Sequence, residues 1–383
     1  MQVTITNLSL AYGGVAAVEG LDLTINDGES IVLLGQSGCG KTSTMRCIAG
    51  LEEPTGGSIA IGDTTVFDHD TGRSVPSFKR NVGMVFQSYA VWPHKTVLEN
   101  VTFPLRMKKV KRGPARDKAM EVLGLVGLGH LAERGASQLS GGQMQRVALA
   151  RSMAMEPSVL LLDEPLSNLD ARLRDDLRVE LRHIQQERGL TSLYVTHDQQ
   201  EALALADRIA IMQAGHITQL GTPEDVYAAP ASASIARFMG VTNVFTIAST
   251  ASATGNKIEL ADHPVTLHSA ATGPPGAASI AIRPEDIRVR AENDPPRTTH
   301  PDGTNTLTGT VEVRVYQGSS VRYQIAIDNG PQLDAVCPAG TGTLARGTRA
   351  HVDIDPAAVL VLPDEVTEVT DGTATPAQDE VAA

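Results

Sequence analysis

The chain has 383 residues, with 32 Lys and Arg against 44 Asp and Glu and a formal net charge of −12. Hydrophobic residues make up 42% and charged residues 20%, the balance of a packed globular protein, and the length suits two or three domains of roughly 100–200 residues each. The acidic balance argues against a general grip on nucleic acid, which needs a basic face, and no apolar run approaches the ~18–20 residues needed to cross a bilayer.

The N-terminus lacks the charged-then-apolar pattern of an export signal. Its first residues, MQVTITNLSLAYGG, instead alternate apolar and polar positions as a strand does. The three cysteines, Cys39, Cys47 and Cys337, form no metal pattern, so a reduced, cytoplasmic compartment is the expectation. A role at a membrane then requires another subunit to supply the span.

SIVLLG (Ser30–Gly35), SVLLLDEP (Ser158–Pro165), TSLYVTHD (Thr191–Asp198) and RIAIMQAG (Arg208–Gly215) are continuous apolar runs, which suit strands buried on both faces. Helical stretches separate them, predicting an α/β domain with a largely parallel sheet over residues 1–240. From Ser88 to Met155 strand signals vanish and DKAMEVLGLVGL (Asp117–Leu128) is amphipathic, so an α-helical subdomain is expected over about 88–155. After Val241, short runs such as KIEL, ASIAIRP, GTVEVRVY and VRYQIAI alternate with Gly, Pro, Asn and Asp. That pattern predicts a small all-β barrel over 241–363, interrupted by the polar loop Ala291–Asn305. The tail, 364–383, holds six acids and no Lys or Arg and is expected to be disordered.

GQSGCGKT (Gly35, Gln36, Ser37, Gly38, Cys39, Gly40, Lys41, Thr42) matches the phosphate-loop pattern, follows an apolar strand and runs into the helix-forming KTSTMRCIAG. Its glycines let successive N–H groups point at phosphate oxygens at a helix N-terminus. Lys41 is expected to reach the β- and γ-phosphates and the Thr42 hydroxyl to ligate Mg²⁺. VLLLDEP ends a buried strand with two adjacent carboxylates, Asp163 and Glu164, a conflict that a divalent cation resolves. Asp163 is then the metal-side acid, and Glu164 the group that orients and deprotonates an attacking water. His197 closes another apolar strand, where parallel sheets deliver catalytic groups, and could donate to a γ-phosphate. Gln87, in GMVFQSYA, follows a β-like run and can bridge Mg²⁺, water and the helical region.

A second glycine turn, LSGGQ (Leu139–Gln143), opens the helix QMQRVALARSMAM. Ser140 is an ordinary helix cap, but Gly141 and Gly142 each cost about 1 kcal/mol of helix propensity against Ala. Their presence suggests a second site where phosphate approaches backbone.

In this order, GQSGCGKT, Phe86–Gln87, LSGGQ, LLLDEP, SNLD (Ser167–Asp170) and VTHD resemble the motifs of ATP-binding cassette (ABC) ATPases over about residues 1–240. The resemblance implies a P-loop NTPase cassette working as a head-to-tail homodimer, each ATP held by the phosphate loop of one copy and the LSGGQ turn of the other. That explains two glycine cradles in one chain. It further implies that Tyr12 stacks on adenine and that residues from Gly35 to Ser43 bind the phosphates. Ser140, Gly141, Gly142, Gln143 and Asp170 would serve the partner's nucleotide, and Thr42, Gln87 and Asp163 the Mg²⁺, while Glu164, His197 and Gln87 are catalytic. Met144 departs from the family, where a polar or basic residue commonly follows LSGGQ.

FQSYAVWPHKTVLENV, EPLSNLDARLR, FMGVTNVF and AIRPEDIRV resemble importer ATPases with a C-terminal OB-like regulatory domain of the TOBE type, the maltose, polyamine and ferric-ion group. Two transmembrane permease subunits, touched by residues around Ser88–His94, and indirectly an extracytoplasmic solute-binding protein are the implied partners. The chain would then be peripheral on the cytoplasmic face of the inner membrane, with no nucleic-acid partner. The alternative is a soluble cassette ATPase acting on nucleic acid or ribosomes. It fits less well, because Gln87 and Leu139 lie too close for a long coiled-coil insertion, only one cassette is present and the charge is acidic.

Overall fold

The computed structural model describes residues 1–248, 257–274, 276–294, 305–340, 343–365 and 370–371. Most of the acidic tail and the middle of the Ala291–Asn305 loop, for which disorder and a polar interruption were expected, lie outside the described residues. The chain divides into two compact units, one built on Met1–Val226 and the other on Tyr227–Glu368.

In the first unit, strands β1 (Val3–Tyr12) and β2 (Val15–Ile25) form a hairpin, followed by β3 (Ser30–Gly35) and helix α1 (Lys41–Ala49). Then come β4 (Gly56–Ile61), β5 (Thr64–Asp68), β6 (Arg73–Ser74) and β7 (Val82–Val85). Three helices, α2 (Val97–Met107), α3 (Arg112–Leu125) and α4 (Gly141–Met153), follow with no strand before β8 (Val159–Asp163). The unit closes with α5 (Ala171–Arg188), β9 (Ser192–Thr196), α6 (Gln199–Leu205), β10 (Arg208–Gln213), β11 (His216–Gly221) and the start of α7 (Pro223–Ala228).

The central sheet has the order β11-β10-β3-β9-β8-β7, with a short strand at 370–371 beside β11. β10, β3, β9, β8 and β7 are parallel, and β11 is antiparallel to β10. β3, β8 and β9 are buried at every position, which is what their unbroken apolar runs encode. A second, wholly antiparallel sheet, β2-β1-β4-β5-β6, was not foreseen. It starts at the turn Gly13–Gly14, where both glycines take positive φ (56° and 86°) between the paired Tyr12 and Val15, the backbone a two-residue hairpin needs. Ile5, Leu21 and Ile59 from this sheet share a core with Ile31, Leu33, Ile48, Leu161 and Val195.

In the second unit, α8 (Ala233–Phe238) and β12 (Asn243–Thr246) lead into β13 (Lys257–Glu259), β14 (Thr266–His268), β15 (Ser279–Ile282), β16 (Ile287–Ala291), β17 (Asn305–Tyr316), β18 (Ser320–Ile327), β19 (Gln332–Pro338), β20 (Arg349–Ile354) and β21 (Leu360–Leu362); the pair at 370–371, β22, belongs to the first unit. Five antiparallel strands run in the order β16-β20-β17-β18-β19. The sheet curls until β19 meets β16, with the Cys337 thiol 3.8 Å from the Ile287 carbonyl, the OB-like barrel expected from sequence. β12-β15-β21 and the β13-β14 hairpin pack as separate small sheets. The division falls at Val226, ahead of the composition change at Val241, because Ala236 and Val241 bury against Ala281 and Leu362.

All three cysteines are free, and burial pushes the Cys47 thiol up to about 12. Among the described residues, no helix is long and apolar enough to cross a membrane.

Candidate functional site

The carboxyl ends of β3, β8 and β9 deliver Gly35, Asp163 and Thr196 to one edge of the central sheet, where open α/β sheets bind ligands. At Gly35 a Cβ would lie 2.4 Å from the Met212 carbonyl, and at Gly40, with φ +103°, 2.4 Å from that of Ala17. Gly38 has φ +84° and open space around it. The loop therefore needs glycine for packing at its base and for backbone freedom at its exposed tip. Lys41 is only 5% exposed; its Nζ donates to the carbonyls of Gly35 (2.7 Å) and Gln36 (2.8 Å) and lies 3.6 Å from Cys39 Sγ. α1 begins without a side-chain cap or an acid in its first turn, so its leading N–H groups and positive dipole end are uncommitted, a fit for phosphate. Tyr12 is half exposed; its hydroxyl donates to Glu52 and lies 3.4 Å from Ser43 Oγ.

Of the three sequence-predicted metal residues, Thr42 and Asp163 meet, whereas Gln87 bonds Glu164. Thr42 Oγ1 donates to Asp163 Oδ1 at 3.0 Å. Asp163 is 7% exposed, and burial raises its carboxyl pKa above the ordinary value. A buried carboxylate paired with a hydroxyl is a hard-oxygen set that suits Mg²⁺ completed by phosphate and water oxygens. Among the described residues no group of three or more His, Cys, Asp or Glu could hold a metal alone, so the set needs a ligand's oxygens.

Glu164, the next residue, takes φ +40°, a left-handed backbone uncommon outside glycine. Its N–H donates to the Val195 carbonyl of β9 at 3.0 Å. Both carboxylate oxygens have neighbours: His197 Nδ1 is 3.0 Å from Oε1, and Gln87 Nε2 donates to Oε2 at 3.1 Å. With Nδ1–H on Glu164, a neutral ring keeps only an acceptor at Nε2, so donation to a phosphate requires the imidazolium form.

Ser167 and Asn168 were read only as part of SNLD, yet both serve this cluster. Ser167 Oγ donates to the Glu164 carbonyl at 2.9 Å and lies 3.4 Å from Gln87 Nε2. Asn168 Nδ2 donates to the Gln87 carbonyl at 3.1 Å. Their one sequence signal is spacing, three and four residues after Glu164. Beyond Gln87, Tyr89 and Ala90 also have positive φ (62° and 48°). Arg151 of α4 clamps them, donating to Tyr89 O (3.0 Å) and Ala90 O (2.6 Å) while lying over Trp92.

The LSGGQ turn forms a separate cluster. Ser140 caps α4 in a reciprocal box with Gln143: Gln143 N donates to Ser140 Oγ (3.4 Å) and Ser140 N to Gln143 Oε1 (3.0 Å). The two glycines of this turn differ in what surrounds them. A Cβ on Gly142 would lie 2.5 Å from Leu173 Cδ2, whereas at Gly141 the nearest atom, Leu169 Cδ2, is at 3.6 Å. Local packing thus accounts for Gly142, and Gly141 has no such reason. Asp170 caps α5, accepting from Leu173 N at 3.0 Å.

Residues 18–167 match the family model described as ABC transporter, and residues 280–362 that of the TOBE domain. The chain belongs to the ABC transporter family, as an ATP-binding subunit of import type with a TOBE domain. It is 45% identical over 337 residues to the Fe(3+) ions import ATP-binding protein FbpC of Brucella melitensis, covering 88% of this chain and 91% of that one. It is 46% identical over 314 residues to the spermidine/putrescine import ATP-binding protein PotA of Thermobifida fusca, covering 81% and 78%. Among solved structures, the cassette MJ0796, dimeric in a post-hydrolysis state with ADP and Pi, is 31% identical with a TM-score of 0.51 over 58% of this chain and 98% of that one. For cbiO1 of Clostridium perfringens the values are 27%, 0.54, 63% and 95%. These relatives are import and cassette proteins, the class that the sequence favoured over a nucleic-acid or ribosome ATPase.

Proposed function

We propose that this chain hydrolyses ATP as a head-to-tail homodimer to drive import of a small solute through two separate permease subunits. The observation that carries the reading is the junction of Thr42–Asp163 with a Glu164 side chain held between His197 and Gln87. In this reading residues 1–240 are the cassette and 241–363 the TOBE domain. Tyr12 packs on the adenine, and the loop from Gly35 to Ser43 wraps the phosphates, with Lys41 exchanging its loop carbonyls for phosphate oxygens. Ser140, Gly141, Gly142, Gln143 and Asp170 of the second copy close over the same nucleotide.

Mg²⁺ held by Thr42, Asp163 and Gln87 would neutralise phosphate charge when bound. Glu164 orients and deprotonates the water, and its strained backbone keeps the carboxylate facing the site. His197 holds that carboxylate and, as imidazolium, donates toward the γ-phosphate. Gln87 senses the site through Ser167 and Asn168 and passes its state to Ser88–His94, the segment proposed to meet the permease at the cytoplasmic face of the inner membrane. The Fe(3+) and spermidine/putrescine import relatives support import of a small solute; in the same reading an extracytoplasmic binding protein delivers it, and no nucleic-acid partner is invoked. The direct test is ATPase activity of Glu164→Gln: retained turnover refutes the assignment, and lost turnover with retained ATP binding supports it.

A further inference from the structure

Arg174 stands in the first turn of α5, where a cation opposes the helix dipole, so α5 itself gives no reason for it. Its guanidinium turns back along the chain. Nη2 donates to the Leu169 carbonyl at 3.1 Å, directly before Asp170, and Nη1 to Asp198 Oδ2 at 3.3 Å, directly after His197. Nε lies 4.0 Å from Glu201 Oε1 and is buried without a hydrogen bond.

The far side of this bridge is braced. Asp198 uses its other oxygen to cap α6, accepting from Gln200 N (2.8 Å) and Glu201 N (3.2 Å). Arg178 Nη2 also lies 3.9 Å from Asp198 Oδ2. Glu201, 2% exposed, accepts from the Tyr194 hydroxyl (2.9 Å) and Thr196 Oγ1 (2.8 Å). Thr196 Oγ1 in turn accepts from Asp198 N at 3.0 Å. Both neighbours of His197 are therefore fixed, and the fixing group reaches the carbonyl that precedes Asp170.

We propose that Arg174 is a positioning residue that ties the Asp170 turn to the His197 turn, so that docking of a second copy against Asp170 sets the imidazole that holds Glu164. The proposal rests on the hydrolytic reading of Glu164 and His197. It assigns Arg174 and Asp198 no contact with nucleotide. Their loss should slow turnover and leave binding of ATP by the phosphate loop intact.

The test uses the full chain and compares Arg174→Gln, Asp198→Asn and the double variant by steady-state ATPase kinetics and fluorescent-nucleotide titration, with Glu164→Gln in the same assay. Asparagine still caps α6 but no longer pairs with Arg174, so Asp198→Asn carries the test even if Arg174→Gln fails to fold. Each single variant is expected to lose kcat by about tenfold or more, as small misplacements of reacting groups do, with the nucleotide Kd unchanged. The double variant should be no worse than the poorer single one, because both break one link, and Arg174→Lys should recover part of the rate. Wild-type kcat in Asp198→Asn, or single losses that multiply in the double, overturns the proposal. Undiminished turnover in Glu164→Gln overturns the underlying reading as well.

Discussion

His197 Nδ1 and Glu164 Oε1 lie 3.0 Å apart although the residues end different strands and stand 33 positions apart in the chain. β8 and β9 are adjacent and parallel, with Asp163 opposite Val195, so both strands leave the sheet at the same edge; Glu164 and His197 are one position out of register and meet where Glu164 departs from strand geometry at φ +40°. Glu164→Gln should lower kcat by about 10²-fold or more, the usual worth of a general base, while ATP is still bound. His197→Ala should lower kcat with the same preserved affinity. Turnover and nucleotide titration measured on the same preparations check both.

Asp163 gives a pH-dependent prediction for the nucleotide-free protein. Burial is the largest cause raising its carboxyl pKa above 3.8, so the folded state favours the neutral acid. The penalty is absent below that ordinary value and develops as pH rises through the folded pKa. Asp163→Asn should therefore raise the apo Tm at neutral pH, with the advantage disappearing as pH falls below the aspartate range. The same variant should lose Mg²⁺-dependent turnover. A Tm difference independent of pH would show that the buried charge is not the cause.

Gly142 separates packing from ligand approach. Ala there meets Leu173 Cδ2 at 2.5 Å, the far end of a flexible side chain. Overpacking of about 1–3 kcal/mol is partly offset by about 1 kcal/mol of gained helix propensity. Gly142→Ala should lower Tm slightly, and Leu173→Ala added to it should relieve the clash without a further loss of ATPase. Gly141→Ala, with ordinary contact distances, should leave Tm within error yet impair turnover. Full activity in Gly141→Ala would remove the argument that phosphate approaches this turn.

The parts of the fold carried by one strand's own residues were legible in the chain. SIVLLG, VLLLD and SLYVT announce buried parallel strands because both faces are covered, and the phosphate loop is local to eight residues. GTVEVRVY and VRYQIAI fall within β17 and β18, where β-branched residues and, in β18, an alternating burial pattern mark strands with one covered face. The antiparallel sheet was overlooked although Gly13–Gly14 is a two-residue hairpin signal, since β4 and β5 are short and half-buried. The helix expected at Asp117–Leu128 begins earlier, at Arg112, because Pro114 sits in the first turn, where its missing N–H costs nothing. The packing that requires glycine at 142 was not legible because its partner, Leu173, lies in a helix 31 residues on. Ser167 and Asn168 were overlooked because their partner, Gln87, lies about 80 residues upstream.

Ser140→Arg isolates the second copy's contribution. The Ser140 hydroxyl caps α4, so losing it costs about 1 kcal/mol of helix stability and should shift Tm only modestly. ATP binding through Lys41 and the rest of the phosphate loop should persist, and turnover should fall to background. Lost ATP binding in the monomeric variant would mean that Ser140 serves its own chain's nucleotide.

The most direct measurement of the central claim is ATPase activity per molecule as the wild-type chain is diluted, with oligomeric state followed by light scattering. Two half-sites completed only by pairing predict that specific activity falls with the dimer fraction, rising roughly linearly with concentration at the dilute end. Constant specific activity down to concentrations where only monomer remains would contradict the account.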